Sequence, residues 1–189
     1  MKTDLILSMV PRTKTIPYQS GTRPDGSTNY GFKPLKGSLG EITSIPEAQD
    51  LFAIREALEV INHPDTALFS IGCEKAFNQS PDGFWVKGFI EFAFNHPELA
   101  LDASSYFKLF FEFNHLVWEK QLDLPLQYHF ELEGAHFQTV DTHGYTACVW
   151  LTTLSLPTEN EAKDVWCLGL GFLADFLRQI PRQPLPTIY

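Results

Sequence analysis

The sequence predicts an α+β domain: an antiparallel sheet of four or more strands, built from two hairpins, with helices packed on one of its faces. Three observations predict it. Two pairs of segments rich in aromatic and branched residues are each joined by a turn sequence. Three segments carry apolar residues at helical spacing before, between and after those pairs. The chain has 189 residues, 44% of them apolar, which suits one domain spanning 1–189 with a sizeable core.

The elements follow in order. Residues 11–44 hold four prolines and five glycines, so they read as an irregular, basic arm or site loop, with RPDGS (23–27) as a turn. Tyr18, Tyr30 and Phe32 are placed to pin this segment to the body. Ser44 and Glu47 form a capping box around Pro46. Ala48, Leu51, Ile54, Leu58 and Ile61 then recur at helical spacing until His63-Pro64. Residues 66–77 and 84–94, separated by NQSPDG, predict the first hairpin. On its second strand Phe84, Val86, Ile90, Phe92 and Phe94 share one face, and Trp85, Lys87, Phe89, Glu91 and Ala93 the other. Residues 102–122 predict a second helix, capped by Asp102 or Ser104, with an apolar stripe from Tyr106 to Val117. YHFELEG (128–134) opens a third strand with a break at Gly134. DTHG (141–144) is the turn into 145–156, the second hairpin. Thr158 and Glu161 cap a last helix whose stripe runs from Ala162 to Ile180, and 181–189 is a Pro-rich tail.

The net charge of −9 is uneven. Residues 1–45 carry six basic and three acidic groups, and the remainder eight basic and twenty acidic ones. An acidic body repels phosphate backbones, which argues against nucleic acid, and it attracts a basic protein. No apolar run reaches the roughly 20 residues that span a bilayer, and LILSMV follows Asp4 where a signal peptide needs a basic region. A cytoplasmic protein with no membrane partner is therefore expected. Cys73, Cys148 and Cys167 are odd in number and widely spaced, as buried apolar thiols are rather than a disulfide framework.

Candidate chemistry centres on YHFELEG. His129 and Glu131 point the same way on a strand, and His136, Asp141 and His143 follow, so His129, Glu131, His136 and His143 are the candidate metal ligands of a metal-dependent hydrolase or oxygenase. Glu131 and Glu133 are also placed to share a proton or cation. Cys148 is placed to face His136 or Phe137 across the hairpin. No nucleophile elbow, P-loop or metal-site spacing is present, so no catalytic residue and no cofactor is assigned and the balance leans away from an enzyme. Trp85, Lys87, Phe89, Glu91, His129, Glu131 and Glu133 together make an aromatic and acidic sheet face, the composition of a hot spot for a basic partner. The leading expectation is an acidic bacterial inhibitor or immunity-type domain that neutralises a basic toxin or nuclease. The alternatives are the metal-dependent enzyme and a small-ligand-binding protein with an aromatic pocket between sheet and arm.

Overall fold

The computed structural model describes residues 3–22, 24, 26, 28–180 and 187–189. Three residues of the 23–27 turn and 181–186 of the tail lie outside the described residues. The chain runs β1 (Asp4–Ile16), a short ribbon of β2 (Gly21–Thr22) and β3 (Thr28–Asn29), α1 (Pro46–Asp50), α2 (Phe52–Ile61), β4 (Leu68–Ser80) and β5 (Gly83–Phe94). It continues through α3 (Pro97–Leu101), α4 (Ala103–Glu119), β6 (Leu126–Phe137), β7 (Thr142–Thr153) and α5 (Glu159–Leu177). Five strands form one sheet in the order β1-β6-β7-β5-β4.

Both hairpins of the sequence reading are present, β4–β5 and β6–β7, and β5 pairs antiparallel with β7. The sheet is nevertheless mixed rather than wholly antiparallel, because β1 lies parallel to β6 at its edge. β1 begins before the arm and runs into it, so residues 11–16 are strand, not irregular chain. β6 passes through Gly134 without a break. It is flanked by strands on both sides, and a Cβ at 134 would stand 2.8 Å from Thr13 Oγ1 on β1. The glycine there serves close approach of the neighbouring strand. The second reversal falls at residues 138–141 rather than at DTHG, with Asp141 at φ 45°, and Thr142 is already paired with Phe137.

The first helix is split. Leu51 is extended (φ −129°, ψ 114°), which ends α1 and starts α2. Ser44 caps neither, because it closes a 3-10 turn (Leu39–Ser44) and its hydroxyl donates to Glu41 O at 2.6 Å. α4 and α5 match the sequence closely. Asp102 accepts from Ser104 N at 2.9 Å, and Thr158 with Glu161 forms the predicted capping box.

Alternation then decides what is buried. Tyr128, Phe130 and Leu132 on β6 point to the same side as Ile90 and Phe92 on β5, and α4 and α5 cover them. Phe113 of α4 meets Tyr128, Phe130 and Phe176 at ring-centroid distances of 5.0, 5.6 and 5.2 Å. The Tyr128 hydroxyl donates to Gly169 O at 2.7 Å and the Trp166 indole donates to Leu151 O at 3.1 Å, so α5 is bonded to the sheet as well as packed on it. The other face holds a second, smaller core. Phe32 and Tyr18 from the arm and Tyr189 from the C-terminal residues gather around Phe69 and Phe137. Lys36 ties the arm to the end of α2 by donating to His63 O and Thr66 O, and Asn95 holds residues 188 and 189.

A tight approach of both strand and helix falls at Gly88, where a Cβ would stand 2.5 Å from Glu74 O and 2.8 Å from the Trp166 ring. One contact is backbone and the other a fully buried indole, so neither yields cheaply. Gly88→Ala is expected to lower stability by about 1–3 kcal/mol in urea unfolding, the usual cost of overpacking. Gly171→Ala, with open space around it, should be neutral or slightly stabilising.

Candidate functional site

The polar row of YHFELEG lies on the sheet face away from the long helices. His129, Glu131 and Glu133 stand opposite Trp150, Cys148 and Thr146 of β7, and Cys148 in turn opposite Glu91 of β5. Trp85, Lys87 and Phe89 belong to the same face of β5. The seven residues grouped from sequence thus share a face, but the structure divides them. Glu91 and Glu133 are buried, at 5% and 0% exposure, while Lys87 is exposed and Trp85, Phe89, His129 and Glu131 are half-buried. A row of carboxylates displayed to a partner is therefore corrected for two of its three acids.

Their burial is compensated by β1. Its register against β6 shifts between Val10 and Thr13, inserting Pro11 and Arg12, so that Arg12 and Lys14 both reach Glu133. Arg12 Nε donates to Glu133 Oε1 at 2.8 Å and its Nη2 donates to the same oxygen. Lys14 Nζ stands 2.6 Å from Glu133 Oε2 and 2.6 Å from Glu91 Oε1. Thr146 Oγ1 donates to that Glu91 oxygen at 2.7 Å. Burial alone would raise the Glu133 carboxyl, but the hydrogen bonds and charges of Arg12 and Lys14 outweigh it and hold the group below its ordinary 4.5. Burial alone would lower Lys14, and Glu91 with Glu133 holds it above its ordinary value. The carboxylate pair that shares a cation is thus Glu91 and Glu133. Glu131 instead accepts the Trp150 indole N–H at 2.8 Å.

This network floors a cleft of about 970 Å³ between the sheet and the arm. Tyr18, Tyr30, Phe89 and Trp150 supply aromatic wall, and Glu47 and Glu74 supply further acid. Phe89 packs on Trp150 at 4.7 Å, and Lys87 Nζ lies 4.6 Å over the same indole, which carries the wall out of the cleft along the uncovered half of the sheet.

The four candidate metal ligands do not meet. His129 and Glu131 are 3.9 Å apart on the cleft side, where His129 Nε2 shares a 2.7 Å hydrogen bond with Ser8 Oγ. His136 and His143 face each other across the hairpin on the other side of the sheet, stacked at 4.5 Å, with Asp141 3.0 Å from His136. Among the described residues no group of three or more His, Cys, Asp or Glu is placed to hold a metal. Cys148 faces Glu131 and Glu91 rather than His136. Burial raises its thiol well above the ordinary value, and burial with Glu47 and Glu74 pushes Cys73 up to about 12, so neither thiol is activated as a nucleophile.

Arg12, Lys14, Trp150 and Tyr18 were not among the residues grouped from sequence. A signal for the first two exists in RTKTI (12–16), where cations alternate with threonines as on one side of a strand. No helix is long and apolar enough to cross a membrane among the described residues.

The network predicts an uneven response to mutation. Lys14→Met leaves two buried carboxylates facing each other and should cost about 3–5 kcal/mol, whereas Arg12→Met, at a side chain 64% exposed, should cost about 1 kcal/mol or less. Because Glu133 is depressed in the fold, its stabilisation is complete above pH 4.5 and is lost as pH falls through its lower folded value. Urea midpoints should fall on acidification from neutral pH to about pH 3, and Glu133→Gln should flatten that fall. No family model, curated protein or solved structure matches the chain.

Proposed function

We propose that the protein is a non-catalytic binding domain that takes a lysine- or arginine-bearing segment of a basic partner protein into the cleft, as an inhibitor or immunity-type protein of the bacterial cytoplasm would do for a toxin or nuclease. One observation carries the reading. The cleft and the wall continuing from it hold the carboxylates Glu47, Glu74, Glu91, Glu131 and Glu133 against the cations Arg12, Lys14, Lys33 and Lys87, so acid is in slight excess, and it is interleaved with aromatic surface. Lys14 and Arg12 neutralise Glu91 and Glu133. Glu131 stands on the wall continuing from the cleft, where an incoming ammonium or guanidinium meets it beside Trp150 and Phe89. The volume also falls in the range of small-ligand pockets, which favours a small cationic ligand as the second reading.

Tryptophan fluorescence tests this, because Trp150 stands in the wall. Extended lysine- and arginine-rich peptides should give a saturable change at low salt, weakened tenfold or more by Glu131→Gln and by added salt. Acidic peptides of the same length should give none. Saturation by free arginine at equal concentration would select the small-ligand reading. The same response to acidic and basic peptides, or none to either, would remove the proposal.

A further inference from the structure

The two ends of the sheet are treated differently. β4 is covered along its first half: the Tyr18 hydroxyl donates to Ile71 O at 2.9 Å, and Asp50 on α1 pairs with Lys75 at 3.0 Å. β1 closes the opposite edge, and among the described residues no strand pairs with its outer side. From Asp4 to Val10 this edge holds one charge and no proline, with Ile6 41% and Met9 59% exposed. Open edges of this kind are normally blunted by charge, proline or a bulge, and here the blunting begins only at Pro11.

We propose that this edge is an interface between two copies of the chain, in which β1 pairs antiparallel with β1 of the second copy about a two-fold axis at Ser8. The sequence of the edge supports that register over its neighbours. Centred on Ser8, Asp4 stands opposite Arg12, Leu5 opposite Pro11, Ile6 opposite Val10 and Leu7 opposite Met9. Alternation puts Ile6 and Val10 on the cleft side, beside His129 and Glu133, and Leu7 and Met9 on the helix side, beside Phe130 and Leu132. Apolar residues thus meet apolar ones on both faces, and each charge meets its opposite at the ends. Moving the axis to Leu7 sets Ile6 against Ser8 and Asp4 against Val10, and moving it to Met9 sets Ile6 against Arg12. The Arg12 guanidinium bonds Glu133 on one side and is 64% exposed on the other, so it can meet a second carboxylate. Arg12 also lines the cleft, and Asp4 of the second copy is therefore added to the cleft mouth. The net charge of −9 on each copy opposes approach at long range, but at physiological ionic strength that repulsion is screened within about 8 Å.

Sedimentation velocity of the full chain over a dilution series, at physiological salt, reads the association directly. A concentration-dependent monomer–dimer equilibrium is expected. Met9→Lys and Ile6→Lys, both at exposed positions, should leave a monomer that melts like the wild type at dilutions where the wild type is itself monomeric, and Asp4→Lys should weaken the dimer about tenfold. Residues opposite each other in an antiparallel pair have Cα atoms about 4.5–5.5 Å apart, within disulfide reach. Ser8→Cys under mild oxidation should therefore give a covalent dimer whose bridge maps, by peptide mass, to position 8 in both copies. A wild-type chain that stays monomeric throughout with no such bridge would overturn the proposal, as would a dimer indifferent to Met9→Lys.

Discussion

A single ammonium group, Lys14 Nζ, holds two carboxylates that the fold has taken out of water. Glu91 belongs to the first hairpin and Glu133 to the second, so the salt bridge ties β5 to β6 across β7 from a third element. Neither acid is tolerable there alone, since an unpaired buried charge is among the costliest defects a structure can carry. The pairing fixes the position of β1, the two-residue bulge fixes the reach of Arg12, and the arm that leaves β1 is thereby aimed over Phe69 and Phe137. The cleft exists because the arm is held off the sheet over this polar patch and closes onto it only over the aromatic one.

Local patterns in the chain already specify the helical layer and both hairpins. The capping box at Thr158 and Glu161, the Asp102 cap and the stripe from Tyr106 to Val117 all use residues within a few positions of each other. What was not legible is non-local. β1 meets β6 some 121 residues away, and nothing near Lys14 in sequence announces Glu91 or Glu133 as its partners. For the same reason the alternation of YHFELEG correctly separates an oily from a polar face, yet is silent on which acids stay wet. Gly134 and DTHG misled in a related way. Each has the chemistry of a break or turn, but strands on both sides hold Gly134 extended, and the hairpin register places the reversal earlier.

The location of the negative charge also differs from what composition suggests. Glu112 and Glu119 of α4 and Glu159 and Glu161 of α5 lie exposed on the solvent side of the helices. The face bearing the cleft is close to balanced, with a modest excess of acid on its walls. On the reading proposed above, a cationic segment would make its contacts on the sheet side, beside Trp150 and Phe89.

The parallel pairing of the first strand with the sixth has a bearing on synthesis. During translation β1 leaves the ribosome early, but the strand it pairs with is complete only at Phe137. With elongation at about 5–20 residues per second, β1 waits on the order of ten seconds with neither neighbour nor counter-ions in place. Through that interval the apolar run 5–10 stands as an unpaired edge open to other chains.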